Sequence, residues 1–413
     1  MNKDRIDLTV VGLGSVGLAT ALAAAQAGLE VAVIDPQSAQ QLSGGDFDGR
    51  DVAISNASLR WLDTLGVTCQ LDAGQRSPIR GAHVIDDVVD KKVSFGPAAG
   101  EQDIGAFVPE YRLRQLAFTE LEKQSNCRFL LETRVAALDY CRDAVALTLE
   151  DGQEVCTRLV AAVDGRRSPL RGMLGIGASM QDFGTHMLCC RVEHELAGDG
   201  WTSQRFVDDG CMAILPLSDH VSSLALMVSA NEAAQVTRLD DAHFEQWLNQ
   251  RIGNNLGRLS LASQRFSVPL GSHYADRFVA ERAVLLGDAA VGMLPITAHG
   301  LNLGLIGARS FIAELLAARS RGEAFDEPHV LKRHARRAHA TAKPLYLATN
   351  EICRLFKRTD PISLQARRTL MQMSGPFEQL VGMNCEQDNP RKVPWLGVLK
   401  SLPRALVSRG LAG

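Results

Sequence analysis

The stretch Ile6-Asp-Leu-Thr-Val-Val11-Gly12-Leu-Gly14-Ser-Val-Gly17, continued through an alanine-rich run to Leu29-Glu-Val-Ala-Val-Ile34-Asp35-Pro36, decides the fold. Ile6 to Val11 reads as a short apolar strand, Gly12 to Gly17 as a glycine-rich turn, and Ser15 to Gly28 as a helix. Leu29 to Ile34 is a second apolar strand, closed by Asp35 and stopped by Pro36. Continuous apolar strands alternating with a helix indicate a parallel sheet covered on both faces. The three glycines of a G-x-G-x-x-G turn have separate jobs. The first permits the tight turn, the second lets backbone approach a pyrophosphate, and the third packs the helix against the strand. A phosphate then sits at the positive end of the helix dipole. Asp35, eighteen residues beyond Gly17, is placed to accept hydrogen bonds from an adenosine ribose. Glycines also simply cap turns, but strand, helix and acid together predict dinucleotide binding.

Working outward, 413 residues allow two or three domains. A chain with 46% hydrophobic and 22% charged residues is neither disordered nor a small stapled scaffold. The longest apolar candidate for a membrane span, Leu8 to Leu29, carries four glycines and reads better as strand, turn and helix. The opening Met-Asn-Lys-Asp-Arg-Ile-Asp is too polar for a signal peptide, so a cytoplasmic protein is expected. Nine cysteines form no C-x-x-C pair, which points to reduced thiols and offers no metal site. Lys and Arg number 44 against 47 Asp and Glu, a net charge of −3 that argues against nucleic acid as the main partner. The charge is uneven. From Leu331 onward 15 cations stand against 5 acids, whereas the first 330 residues hold 29 against 42.

Further along, Gln37 to Asp51 reads as a loop, Val52 to Leu65 as a helix with Gly66 as its C-cap, and Arg112 to Ser125 as another helix. Arg134 to Ala162 alternates around the turn Asp151-Gly152 and reads as a hairpin returning to the sheet. Residues 183–269 are strand-rich, a shift that suggests a second domain. Strand, turn and helix return from Phe278 to about Ala318, and the chain reads as helical from 326 to Gly375. The expected first domain is therefore discontinuous, 1–78 with 103–182 and 270–345. The second comprises 79–102 and 183–269, and a helical region with a basic tail covers 346–413.

Two further turns identify the dinucleotide. Leu-Leu-Gly287-Asp288-Ala-Ala-Val-Gly-Met-Leu-Pro295-Ile-Thr-Ala-His299-Gly300-Leu301-Asn302 is a strand ending in a carboxylate, followed by a glycine-rich helix start. The carboxylate suits a polyol hydroxyl, and the helix-start amides suit the N1–C2=O edge of a flavin. A nicotinamide does not need this second arm, whereas an extended FAD does. Val163-Asp164-Gly165 is again a strand running into Asp-Gly, which alone would be an ordinary turn.

These three stretches, in this order, resemble the class A FAD-dependent aromatic hydroxylases of the para-hydroxybenzoate hydroxylase type. Arg50-Asp-Val-Ala53-Ile54-Ser55, Leu62-Asp-Thr-Leu65-Gly66-Val67 and Ile104-Gly-Ala-Phe-Val108 look like the ubiquinone-biosynthesis hydroxylases, of the UbiM-like subgroup of the UbiH/UbiF-type enzymes. The resemblance spans roughly residues 6–310. It departs at Val291 and Leu294, where the family has histidines, and at Ala298-His299, where Gly-Gln is commoner. It implies an α/β protein. A Rossmann-type, glutathione-reductase-like FAD-binding domain would carry an inserted β-sheet substrate domain and a C-terminal helical region.

The roles implied by the resemblance are specific. Gly12, Gly14, Gly17 and Asp35 would hold the ADP half of a non-covalent FAD, and Arg50 and Arg114 its ribose or pyrophosphate. Asp288 would meet the pyrophosphate–ribitol region, and Gly300, Leu301 and Asn302 the isoalloxazine. Asp164 and Gly165 match a motif associated with both FAD and NAD(P)H. Pro295 would be a flavin-facing positioning residue, and His299 the one flavin-facing acid–base candidate, although a histidine at a helix start is more often structural. Met212, Leu215 and Pro216 lie where the family's substrate sheet faces the flavin. The implied reaction uses NAD(P)H and O2 and passes through a flavin C4a-hydroperoxide to hydroxylate an aromatic ring, here a prenylated phenol or quinol. A reductase or dehydrogenase on the same fold, and a non-catalytic FAD-containing quinone-binding subunit, remain open. So do the oligomeric state and the choice of NADH or NADPH. The segment 390–413 combines five cations with Trp395 and several Leu and Val, a composition suited to peripheral contact with an anionic membrane or a quinone-biosynthesis complex.

Overall fold

The computed structural model describes residues 6–97, 100–208 and 210–372. The basic segment 390–413, with its expected membrane or complex contact, lies outside the described residues.

The first sheet grows from the opening strand. Ile6–Val11 lies between Val31–Asp35 and Glu154–Ala162, parallel to both; Cys127–Leu131 and Ala283–Leu285 extend the sheet, also in parallel. Two antiparallel strands, Val135–Tyr140 and Val145–Leu149, are added to it, and the expected hairpin around the Asp151-Gly152 turn joins Val145–Leu149 to Glu154–Ala162. Apolar alternation explains why these strands look uniformly hydrophobic. Leu8, Val10, Val31 and Val33 pack on one face with the helices Ser15–Gln26, Glu110–Glu122 and Gly300–Ser320. Val11, Ala32, Ile34 and Val160 pack on the other with Leu170, Tyr274, Ala335 and Leu345. Both faces are covered, so both residue parities are mainly apolar, with Thr9 a buried polar exception.

The second sheet has nine strands in the order Val291–Gly292, Phe266–Ala275, Ala178–His194, Val221–Ser229, Gly210–Pro216, Trp201–Val207, Gly81–Asp86 and Lys91–Phe95, with Leu259–Leu261 beside Ala178–His194. Two of its strands, Ala178–His194 and Phe266–Ala275, run straight through the expected domain limits at 182 and 270. The stretch 183–269 also holds two helices, Ala230–Val236 and Asp241–Ile252, started by the Ser229 and Asp240 side chains.

Val52 to Leu65 is not one helix. Asp51–Ser55 is a strand, antiparallel to Gly105–Pro109, and Ser55 then caps the helix Asn56–Thr64 through the Ser58 amide. The β-branched Val52 and Ile54 fit a strand, and the long-range partner Gly105–Pro109 overrides their helical spacing. The expected loop 37–51 contains a five-residue helix, Ala39–Ser43, opened by a Ser38/Gln41 capping box. The helix expected from Arg112 begins two residues earlier, at Glu110. Pro328–Phe356 forms a 29-residue helix that crosses the expected limit at 345, packing first on the parallel sheet and then on the nine-stranded one. Pro361–Gln372 follows it. Gly300–Ser320 is long and apolar enough to cross a membrane, but half of it is buried against its neighbours, as in a core helix.

Candidate functional site

The glycine turn closes so tightly that side chains are excluded. A Cβ on Gly17 would lie 1.9 Å from the Gly12 carbonyl oxygen, and one on Gly12, whose φ is +99°, 2.5 Å from that of Val163. Gly14 faces open space and precedes the helix Ser15–Gln26 without any side-chain cap. That helix start is an anion site by construction. Val16 is clasped from the far side: a Cβ on Gly304 would lie 2.7 Å from its Cγ2, and one on Gly287 3.4 Å from its Cβ. The two distant motifs are thus packed onto the glycine helix by backbone contact. Asp35 is buried, accepting the Leu13 amide at 2.6 Å and the Gln37 amide at 2.8 Å. Its carboxylate fixes the backbone of the glycine turn.

Above this helix start stands a cluster of charges. Glu110, the buried first residue of its helix, accepts the Ser15 hydroxyl at 2.5 Å. Arg50 Nη2 lies 2.6 Å from both Glu110 and Asp48, while Arg114 reaches Glu110 at 3.3 Å and Asp48 at 3.4 Å. Burial works against the Arg50 charge, but Glu110 and Asp48 hold its pKa above the ordinary value. The sequence reading identified the two arginines and missed the acids that gather them. The i,i+4 spacing of Glu110 and Arg114 was the available signal. Asp288 sits 3.9 Å from Arg166, its carboxylate open to solvent yet crowded by protein. That crowding raises its pKa, Arg166 and Arg50 oppose the rise, and Glu110 adds to it.

Asp164 spends its carboxylate nearer home. It accepts the Ser168 hydroxyl and, at 3.0 Å, the Leu170 amide at the start of the short helix Pro169–Met173. Burial raises its pKa and these hydrogen bonds lower it. Gly165, at φ +86°, leaves open space beside it. Arg171 joins this motif to the next, donating to the Ala289 carbonyl at 2.9 Å and the Arg166 carbonyl at 3.1 Å. His273, fully buried, bonds through Nε2 to the Asp288 carbonyl at 2.6 Å. Burial depresses its pKa to about 4. A lone histidine in a strand gives no advance notice of such a role.

The turn before the long apolar helix is divided in exposure. Pro295 and Ala298 are exposed, and Ala298 holds φ +52°. His299 is only 2% exposed, and its carbonyl accepts the Leu303 amide at 2.8 Å. Its ring is therefore enclosed rather than open to solvent. Asn302 is buried as well. It accepts the Ser55 amide at 2.9 Å and donates to the Ala53 carbonyl at 2.8 Å and the Ala298 carbonyl at 3.2 Å. Gly300 and Leu301 are half-buried, and no side chain caps their amides.

The nine-stranded sheet turns one face toward this region. Met187, Cys211, Met227 and Leu270 pack with Leu294 and Ile296, and Cys189 and Ala225 join them. Met212 belongs to the opposite face, packed with Ile214 and Leu226 under the helices that contain Val236 and Phe244. The pleat places Leu215 with Cys211, and Pro216 with Met212. Of the three residues expected on the flavin-facing side, only Leu215 has the right parity.

A family of FAD binding domains matches residues 5–345. The chain belongs to this family. The ubiquinone hydroxylase UbiL of Rhodospirillum rubrum is 33% identical over 377 residues, which cover 91% of this chain and 88% of that protein. The ubiquinone hydroxylase UbiM of Neisseria meningitidis is 30% identical over 364 residues, covering 87% and 79%. The crystal structure of p-nitrophenol 4-monooxygenase PnpA from Pseudomonas putida superposes with a TM-score of 0.72 at 18% identity, covering 92% of this chain and 96% of that one. The site fits the cofactor of the family. Gly12 and Gly17 leave no room for a Cβ, two helix starts lack side-chain caps, and an arginine pair and an open carboxylate stand between them. Among the described residues no His, Cys, Asp and Glu cluster could hold a metal.

Proposed function

We propose that this chain hydroxylates the ring of an uncharged, prenylated phenol or quinol, using non-covalently bound FAD, NAD(P)H and O2. The observation that carries the substrate class is the sheet face. Register places Met187, Cys189 and Arg191 beside Ser223, Ala225 and Met227, then Cys211, Ala213 and Leu215, with Phe266, Val268 and Leu270 opposite. The one charged side chain among these twelve is Arg191, and its charge is paired with the Asp51 carboxylate through Nε and Nη2. A ring bearing a carboxylate would find no free cation on this wall, whereas a neutral ring with an apolar tail loses little on leaving water.

When bound, FAD takes reducing equivalents from NAD(P)H and activates O2. The chain supplies the setting. Gly12, Gly14 and Gly17 admit the ADP backbone to the helix start, with Asp35 holding the turn and facing the ribose. Arg50 and Arg114 would meet the pyrophosphate, and Asp288 would take a ribitol hydroxyl. The amides of Gly300, Leu301 and Asn302 would hold the isoalloxazine, and Pro295 would help to position it. Asp164 and Gly165 keep the adjoining turn closed for FAD and NAD(P)H. His299 is enclosed and is given no proton to move. In this reading 1–78, 103–182 and 270–345 bind the cofactor and 79–102 and 183–269 receive the substrate, which leaves 346–413 as a third region outside both tasks. The expected contact through 390–413 with a membrane or a quinone-biosynthesis complex is part of the same proposal.

The test is isotopic. With NAD(P)H, 18O2 and a short-chain prenylated phenol, one 18O atom is expected in the product, and a ring carrying a free carboxylate should turn over at least tenfold more slowly. Label arriving from water, or turnover without O2, would replace the hydroxylase with a dehydrogenase.

A further inference from the structure

Residues 47 to 51 alternate between two allegiances. Asp48 and Arg50 point to the cofactor cradle, where they meet Arg114 and Glu110. Phe47, Gly49 and Asp51 are held by the nine-stranded sheet. Arg191 donates to Asp51 through Nε at 2.9 Å and Nη2 at 2.6 Å, and the Asp51 side chain is fully buried. The same guanidinium lies 4.0 Å over the Phe47 ring. Phe47 in turn meets Phe266 edge-on, with centroids 5.7 Å apart. Gly49, at φ +88°, leaves no room for a side chain, since its Cβ would come within 2.5 Å of the Phe266 ring.

We propose that Arg191 is a positioning residue for the cofactor. It acts through Asp51 and Phe47 to hold the Asp48–Arg50 turn over the start of the glycine helix. The inference rests on the FAD reading above. A planar, two-armed guanidinium is needed because it must pair with a carboxylate edge and cover a ring in one pose. Lysine keeps the charge and can do neither fully. Arg191 also stands in the row that contains Met187 and Cys189, so one residue belongs both to the substrate wall and to the support of the cofactor's arginine. A ring settling on that wall and an FAD settling in the cradle would favour the same Arg191 pose.

The test uses the full chain stripped of flavin and titrated with FAD, followed by quenching of flavin fluorescence. Arg191→Lys is expected to raise the Kd for FAD at least tenfold, with far-UV circular dichroism unchanged. A Kd equal to wild type in a folded Arg191→Lys protein would overturn the inference and leave the FAD reading intact. Failure of the wild-type chain to bind FAD would overturn both. The double variant Arg50→Gln/Arg191→Lys separates positioning from general loosening. If Arg191 works through the Asp48–Arg50 turn, its substitution should cost less than threefold once Arg50 is gone. The same tenfold loss in both backgrounds would show that Arg191 does not act through Arg50, and would overturn the proposal.

Discussion

Around Val16 the molecule is joined by backbone: Gly12 against Val163, Gly17 against Gly12, and Gly304 and Gly287 against the Val16 side chain. Across the nine-stranded sheet it is joined by charge, with Arg191 bound to Asp51 and Arg367 bound to Asp86. The first kind of joint needs particular residues at fixed local spacing, so a sequence displays it. The second needs two residues that can be 140 or 281 positions apart, so a sequence hides it. The two joints also fail differently. A glycine contact is lost by adding atoms, and a buried ion pair by removing one partner and stranding the other.

The largest effect is expected at the second kind. Arg367 and Asp86 are both fully buried and meet through two hydrogen bonds, of 2.8 and 2.6 Å. They fasten the helix Pro361–Gln372 to the strand Gly81–Asp86. Arg367→Met should lower the unfolding free energy by about 3–5 kcal/mol, because it leaves an unpaired carboxylate in a dry site. Adding Asp86→Asn removes that charge and keeps an acceptor for the Val88 amide, now at 3.1 Å. Urea denaturation of the single and double variants is the measurement. A double variant no more stable than the single one would mean that the helix is held by apolar packing, and the contrast between the two joints would fail.

The same contrast explains what could be read in advance. The parallel sheet and the three motif turns are legible because each is local, or tied to a local motif. Val52 to Ser55 reads as helix because its strand partner, Gly105–Pro109, lies 50 or more residues away in the chain, and only that partner decides the matter. The burial of His299 is not legible in advance, because position at a helix start carries no information about burial. Met212 was assigned to the wrong face because parity in a strand is unknown until its register with Val221–Ser229 is known.

An intermediate effect concerns pH and two buried histidines, one in each setting. His273 bridges the sheet to the Asp288 carbonyl. His334 lies under Phe311, with neither ring nitrogen hydrogen-bonded among the described residues. Burial holds both near a pKa of about 4, against about 6.5 when unfolded, and nearby Arg171 and Arg337 respectively push the same way. As pH falls below about 6.5 the unfolded chain takes up protons that the folded chain refuses. Stability should therefore fall by about 1.4 kcal/mol per pH unit for each histidine, down to about pH 4. Between pH 6.5 and 5 most carboxylates are still ionised, so the slope there reports the histidines. His334→Leu should remove one proton from that slope, measured by urea denaturation at each pH. An unchanged slope would mean that the His334 site admits a charge, and hence water, in the folded state.

The smallest expected effect lies where the backbone rule is broken by an ordinary residue. Ala298 is exposed at φ +52° and ψ 26°, and its carbonyl is held by Asn302 at 3.2 Å. The left-handed region costs an L-residue about 1–2 kcal/mol, and a fixed glycine costs about 0.5–1 kcal/mol in lost chain entropy. Ala298→Gly should therefore raise stability by about 0.5 kcal/mol, since the exposed methyl has little packing to lose. The gain should appear equally in flavin-free and FAD-loaded protein if the strain is purely local. A gain confined to the flavin-free chain would instead show that FAD binding already relieves the turn. Cofactor and backbone would then be coupled at Ala298.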